Sequence, residues 1–262
     1  MPKKEKILLI SPHLDDAVFS AGGISAELAA QGHEVHVLTC FTKSVENPTG
    51  FSLACQLDKG LPAEVDYMEL RRQEDQKACQ ILGIIPHWGD LLEAPHRGYD
   101  SAKELFEDIK KQDKIAEKLL EMLEKWIEKI QPQLILSPKG VGNHVDHQQV
   151  CNAIAMLQGK FPETSYLQWY DQPYLMRDPG ILTQKTATKN ELTISVLCAL
   201  SGKNTQKSVI FELKTVNMLK FQACAAYETQ VNFQFGSAEK LAGYFDLSVK
   251  SGKGFLEVLS EG

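Results

Sequence analysis

His13, Asp15 and Asp16 fall within four positions at the end of one apolar run, and His144, Asp146 and His147 fall within four positions after another. Imidazoles and carboxylates without a nearby thiolate are the donor set of a catalytic zinc centre. Such a centre takes three protein ligands through nitrogen or oxygen and leaves a fourth position for water, whose pKa falls to about 7. A carboxylate outside the ligand set can then take the proton as the water attacks a carbonyl, and a remaining imidazole can hold the oxyanion or protonate the leaving nitrogen. A lone histidine at a strand end is ordinarily hydrogen-bonded or on the surface, and an adjacent aspartate pair ordinarily caps a helix. Two such segments in one chain make a metal-dependent hydrolase the leading reading.

Both segments need elements that bring them together. "KILLIS" and "PQLILSP" read as short strands buried on both faces, and each is followed by a helical pattern, "AVFSAGGISAELAAQG" and "HVDHQQVCNAIAMLQ". "EVHVLTCF" supplies another strand, so the start of the chain is a βαβ unit with a right-handed crossover. The expected fold is α/β, a Rossmann-like mostly parallel sheet flanked by helices, in a single domain over residues 1–262. In such a sheet the carboxyl ends of the strands share one edge, and a crevice opens where the crossovers diverge. His144 and His147, three apart at a helix start, share a face.

The rest of the chain reads less sharply. Residues 43 to 66 read as a long loop, a candidate lid. "YMELRRQEDQKACQILGI" reads as an amphipathic helix, "IIPHW" as a short strand, and Ser101 to Ile130 as one long helix. "YLQWYDQPYL", "SVIFEL" and "GFLEVL" read as strands, "TVNMLKFQACAAYETQ" and "SAEKLAGYF" as helices, while 178 to 208 is turn-rich and hard to place.

Composition narrows the function. A net charge of −6 over 262 residues argues against a nucleic-acid or anionic-membrane surface. No apolar run approaches the ~20 residues of a membrane span. The six cysteines (Cys40, Cys55, Cys79, Cys151, Cys198, Cys224) form no CxxC pair, which speaks for reduced thiols in a cytoplasmic protein. Gly22 and Gly23 do not give a GxGxxG turn after the strand, so no dinucleotide cofactor is expected.

The pattern P-H-x-D-D in "SPHLDDAVFSAGG", with H-x-D-H in "NHVDHQQV", resembles the LmbE-like or PIG-L superfamily of zinc-dependent N-deacetylases. "RRQEDQKACQILGI" and "LKFQACAAYETQ" are similar to two further stretches of that superfamily, so the resemblance runs from residue 6 to 230. It implies zinc held by His13, Asp16 and His147, with Asp15 as general base and His144 as the group that stabilises the oxyanion and helps the amine leave. Asp146 would orient or tune His144. Arg71, or its neighbour Arg72, would match a substrate-contacting arginine, and Glu93 stands where many relatives carry a sugar-contacting aspartate. Ala17 replaces a common acidic residue, as in a "SPHLDDAV" subset.

The implied reaction removes an N-acetyl or N-acyl group from an amino sugar or N-acetylglucosamine-containing small metabolite through a zinc-bound water. Ferrous iron or cobalt would also suit the donors. Residues 160–262 would be the more variable, substrate-shaping part. The partners expected are a small N-acylated amino sugar or glycoconjugate, with no nucleic acid and no membrane span; a homo-oligomer is left open. The rival readings are an amidase for a larger acyl or conjugate amide at the same metal site, and a non-catalytic metal- or sugar-binding relative. Trp88, Trp126 and Trp169 are candidates for stacking on a sugar, and His87 and His96 for substrate contact.

Overall fold

A computed structural model describes residues 3–177, 187–189, 192–201, 208–213, 216–250 and 255–261. The first half alternates strand and helix: Lys6–Ser11 (β1), Asp16–Ala30 (α1), Glu34–Thr39 (β2), Gly50–Leu57 (α2), Tyr67–Leu82 (α3), Ile85–Trp88 (β3), Ile115–Ile130 (α4), Leu134–Pro138 (β4), Val145–Lys160 (α5) and Ser165–Trp169 (β5). There follow Gln172–Arg177 (α6), Ala187–Lys189 (β6), Ile194–Ser201 (α7), Ser208–Leu213 (β7), Asn217–Ala225 (α8), Glu228–Phe235 (α9), Ala238–Lys250 (α10) and Phe255–Glu261 (β8).

The eight strands form one sheet in the order β3-β2-β1-β4-β5-β8-β7-β6. From β3 to β5 all pairings are parallel; β8 runs antiparallel to both β5 and β7. Strand alternation splits the core into two layers. Ile7 and Leu9 of β1 face a cluster shared with α1, α3 and α8, while Leu8 and Ile10 face one shared with α4 and α5. The chain leaves β1 for β2 on one side and reaches β4 on the other, so the crossovers diverge between β1 and β4. A crevice must open at the carboxyl ends of these two strands, and both histidine segments begin there.

Four expectations need correction. The loop from 43 to 66 contains the two turns of α2. The long helix begins only at Ile115, because the Asp113 carboxylate accepts the Ile115 backbone N–H at 3.2 Å and ends the helix there. Residues 101–114 instead hold a short 3-10 turn at Glu104–Phe106. "YLQWYDQPYL" is a strand only to Trp169, with α6 opening at Gln172. "TVNMLKFQACAAYETQ" is two helices broken at Ala226 and Tyr227, where the Tyr227 hydroxyl donates to Asp75 at 2.6 Å. Within 178 to 208, β6, α7 and the first residue of β7 are described; 178–186, 190–191 and 202–207 lie outside the described residues.

Candidate metal centre and its cavity

Ser11 ends β1 and turns the chain: its hydroxyl donates to the His13 carbonyl and accepts the Ala17 N–H, setting Asp15 and Asp16 at the start of α1. Asp16 accepts the His13 N–H at 2.9 Å. The same oxygen, Asp16 Oδ2, lies 3.2 Å from His13 Nδ1 and 3.2 Å from His147 Nε2. His144 caps α5, and one ring nitrogen each of His13, His144 and His147 falls within 4.8 Å of the others.

Neighbouring groups decide which nitrogen of each ring is free. His13 Nε2 donates to Asp146 Oδ2 at 2.9 Å, which leaves Nδ1 facing Asp16. His147 Nδ1 lies 3.0 Å from Asp171 Oδ1, without hydrogen-bond alignment, which leaves Nε2 facing Asp16. His144 Nδ1 accepts the Asp146 N–H at 3.2 Å, so a neutral ring carries its proton on Nε2. The carboxylate of Asp146 therefore serves His13, and only its backbone serves His144. Its other oxygen accepts from Arg97 Nη2 at 2.7 Å, and Arg97 also pairs with Asp113 at 3.0 Å.

The donors fit a divalent cation. The two 3.2 Å separations from Asp16 Oδ2 to the imidazole nitrogens match edges of a tetrahedron with metal–ligand distances of about 2.0 Å. Asp16, Asp146 and Asp171 bury three carboxylates around one point, with Arg97 as the permanent cation beside them. Burial lowers the His13 pKa, yet its bonds to Asp146 and Asp16 outweigh that and raise it to about 10. Such a cluster draws positive charge to itself, and a bound metal supplies it. Burial likewise opposes the Asp16 charge, but the His147 and His13 rings hold that carboxyl well below the usual range.

Asp15 differs from its neighbour. Burial and the Asp16 charge push it up to about 8, against the pull of Arg71, whose Nη2 lies 3.9 Å from Asp15 Oδ1. It is a buried carboxylate of raised basicity at the edge of the cluster. His144 is pushed the other way, to about 3, by burial and by His13, which keeps it a neutral donor.

A cavity of about 400 Å³ opens over the cluster, lined by His13, Asp15, Asp16, His144, Asp146 and His147 at its floor. Arg71 and Glu93 line it too, joined at 2.5 Å. Arg72 turns away to Thr42 O, Ser44 and Glu69, which resolves the register between the two arginines. None of the three tryptophans lines the cavity: Trp169 is core, Trp88 donates to Asp75, and Trp126 packs on His87. His87 pairs with His36 at 2.9 Å, and His96 borders a smaller neighbouring pocket. Tyr174 and Phe106 flank the histidines, their rings 6.1 Å apart. Gly142 makes room for Tyr174, since a Cβ there would stand 2.5 Å from its ring.

Asp171, Arg97 and Asp113 escape the sequence reading. Asp171 had a usable signal, because it follows β5, the neighbour of β4, at the same sheet edge as His13 and His144. Arg97 and Asp113 sit in irregular chain whose path no periodicity gives.

Fold and site together define an α/β protein with a buried histidine–carboxylate cluster at the switch point of its sheet. Residues 8–157 match the model of the family described as PIG-L, GlcNAc-PI de-N-acetylase, and the chain belongs to that family. It is 30% identical over 188 residues to 2'-N-acetylparomamine deacetylase of Streptomyces fradiae, across 70% of this chain and 63% of that protein. The chain thus spans less than two thirds of that relative's length. The A40926 pseudoaglycone deacetylase Dbv21 superposes with a TM-score of 0.74 at 24% identity, covering 98% of this chain and 96% of the other. The zinc-inhibited form of teicoplanin deacetylase Orf2 gives 0.75 at 22% identity, over 97% and 96%. At these identities the two structures speak for the fold.

Proposed function

We propose that the protein is a zinc-dependent N-deacetylase that removes an N-acetyl group from an amino sugar or an N-acetylglucosamine-containing small metabolite. His13, Asp16 and His147 are the ligands, Asp15 the general base and His144 the oxyanion donor. The observation that carries this reading is the sharing of one Asp16 oxygen by two imidazole nitrogens at 3.2 Å, with a second, more basic carboxylate next to it in the cavity floor. Membership of a de-N-acetylase family, and relatives named as deacetylases of sugar-bearing compounds, support the substrate class. Zinc is favoured by the nitrogen and oxygen donors; ferrous iron and cobalt suit the same donors.

When bound, zinc supplies an electrophile for the acyl carbonyl and lowers the pKa of the attacking water. Asp15 takes the proton of that water. His144 Nε2–H donates to the carbonyl oxygen as it gains charge; its depressed pKa suits it to donating a hydrogen bond rather than a proton. Asp15, once protonated, then carries the proton that the leaving nitrogen needs. Asp146, anchored by Arg97, fixes the His13 ring, and Arg71 with Glu93 meets the sugar. Tyr174, Gln230 and Phe233, beyond the family match, shape the substrate side of the cavity. Six free cysteines suit a cytoplasmic protein, and among the described residues no helix is long and apolar enough to cross a membrane.

The zinc-loaded protein is expected to release acetate and a free amine from N-acetylated amino sugars, followed by mass spectrometry, and to lose this with a chelator. Asp15→Ala should keep its zinc and lose about a hundredfold or more in kcat, as for removal of a general base. Near-normal turnover in that variant would refute the assignment. The aromatic side chains Phe51, Phe106 and Phe233 at the cavity also favour a second reading, an amidase for a larger acyl group. A faster rate on long-chain than on acetyl amides would select it, and specific sugar binding with no release would mark a non-catalytic relative.

A further inference from the structure

The cavity holds two cations with different surroundings. Arg71 is neutralised by Glu93 at 2.5 Å and faces Asp15 at 3.9 Å. Lys59, just past the end of α2, has no such partner: among the described residues no carboxylate forms an ion pair with it. Its ammonium donates to the Cys55 carbonyl at 3.0 Å and lies 4.8 Å from the ring centre of Phe233 and 5.6 Å from that of Tyr67. Two aromatic faces and one carbonyl hold the ammonium in place, while Glu93 and Asp58 act on it through space without pairing with it.

The Tyr67 ring links the two cations. Arg71 Cζ stands 5.3 Å from the ring centre that Lys59 approaches at 5.6 Å, so they lie within about 11 Å of each other. Lys59 therefore lines the same cavity as the histidine–carboxylate cluster, on the wall that it shares with Tyr67 and Arg71. Half-buried, it pays in lost hydration for its position, and burial together with Arg71 lowers its pKa. A chain that needed only an apolar wall between Tyr67 and Phe233 would serve better with leucine or methionine.

We propose that Lys59 is a specificity residue that receives an anionic group, a carboxylate or phosphate, on the part of the substrate beyond the N-acylated sugar, with Phe233 and Tyr67 bracketing that group. This rests on the deacetylase reading above. A single ammonium recognises charge rather than the planar geometry that an arginine fork would select, so the two anions share one chemistry at this site.

The test compares three probes with the zinc-loaded protein: the methyl glycoside of N-acetylglucosamine, its carboxymethyl glycoside, and N-acetylglucosamine 1-phosphate. The wild type is expected to favour at least one anionic probe over the neutral one by about tenfold in kcat/KM, chiefly through KM, and which anion gains identifies its chemistry. Lys59→Met should abolish that preference while leaving the neutral probe within about threefold, and Lys59→Arg should restore most of it. Equal losses on neutral and charged probes in Lys59→Met would mean a packing role and overturn the proposal, as would a wild type that prefers the neutral probe. Release of acetate from none of the three, with zinc bound, would overturn the deacetylase reading itself and this proposal with it.

Discussion

Asp16 and Asp15 are adjacent, both buried and chemically identical, yet their surroundings drive them apart. Asp16 lies between two imidazoles and stays ionised; Asp15 makes no such contacts, and the pull of Arg71, 3.9 Å away, and of His13 does not offset burial and the charge of its neighbour. The pair was legible in the sequence because both members sit in one short motif. The resemblance already implied different roles for the two, but the physical cause was not legible, since it depends on His147, more than a hundred residues further along. Asp171 lay wholly outside that reading. It is 1% exposed, accepts the Val141 N–H at 3.0 Å, and holds its other oxygen 3.0 Å from His147 Nδ1. Carboxylates behind ligand histidines typically contribute 10–100-fold to metal affinity. Asp171→Asn should therefore weaken zinc binding by about 10–100-fold in competition with a chromophoric chelator, with the protein still folded by circular dichroism. An unchanged dissociation constant would mean that Asp171 only ties the loop at Val141.

The helix that carries both aspartates is not regular. Ala21 departs from helical geometry (φ −136°), and the N–H groups of Gly23 and Ile24 beyond it donate to the two oxygens of Glu257 at 2.8 and 2.7 Å. The buried ammonium of Lys220 completes the arrangement on the same carboxylate. Gly23 is needed because β7 and β8 press on it: a Cβ there would stand 2.6 Å from Leu213 Cδ1 and 3.2 Å from Glu257 Oε1. In Gly23→Ala the contact is with the tip of a flexible side chain, and the helical gain over glycine of about 1 kcal/mol offsets much of it. Gly23→Val adds two methyls where no space exists and should cost about 1–3 kcal/mol, read as a lower urea midpoint at unchanged slope. A midpoint equal to wild type would show that the sheet edge yields there. The apolar run and amphipathic spacing marked this helix, but the kink depends on a carboxylate near the other end of the chain. The late start of α4 has a similar cause, since Asp113 is claimed by Arg97 from another loop.

Across the whole molecule, the parallel half of the sheet carries the histidine–aspartate cluster, while the later elements lend the cavity wall and the clamp on α1. The parallel half was legible because its two central strands, β1 and β4, were each followed by a helix of recognisable period. The antiparallel insertion of β8 between β5 and β7 was not, because strand order has no local signature. Since the proposed ligands come from the ends of two strands, bound metal should stabilise the entire fold. At a free zinc concentration of 100 times the dissociation constant the gain is about 2.7 kcal/mol, or roughly 5–10 °C in Tm for a chain of this size. Chelation should reverse it in a thermal scan, and a Tm indifferent to metal would speak against a preformed centre. The clamp on α1 also bears on how the molecule is made. Gly23 and Glu257 are 234 positions apart, so on the ribosome α1 emerges long before the carboxylate that holds the kink in its middle. The proposed metal pocket is expected to take its working shape only after residue 257 has been added, which keeps a shorter nascent chain from presenting a finished reactive centre.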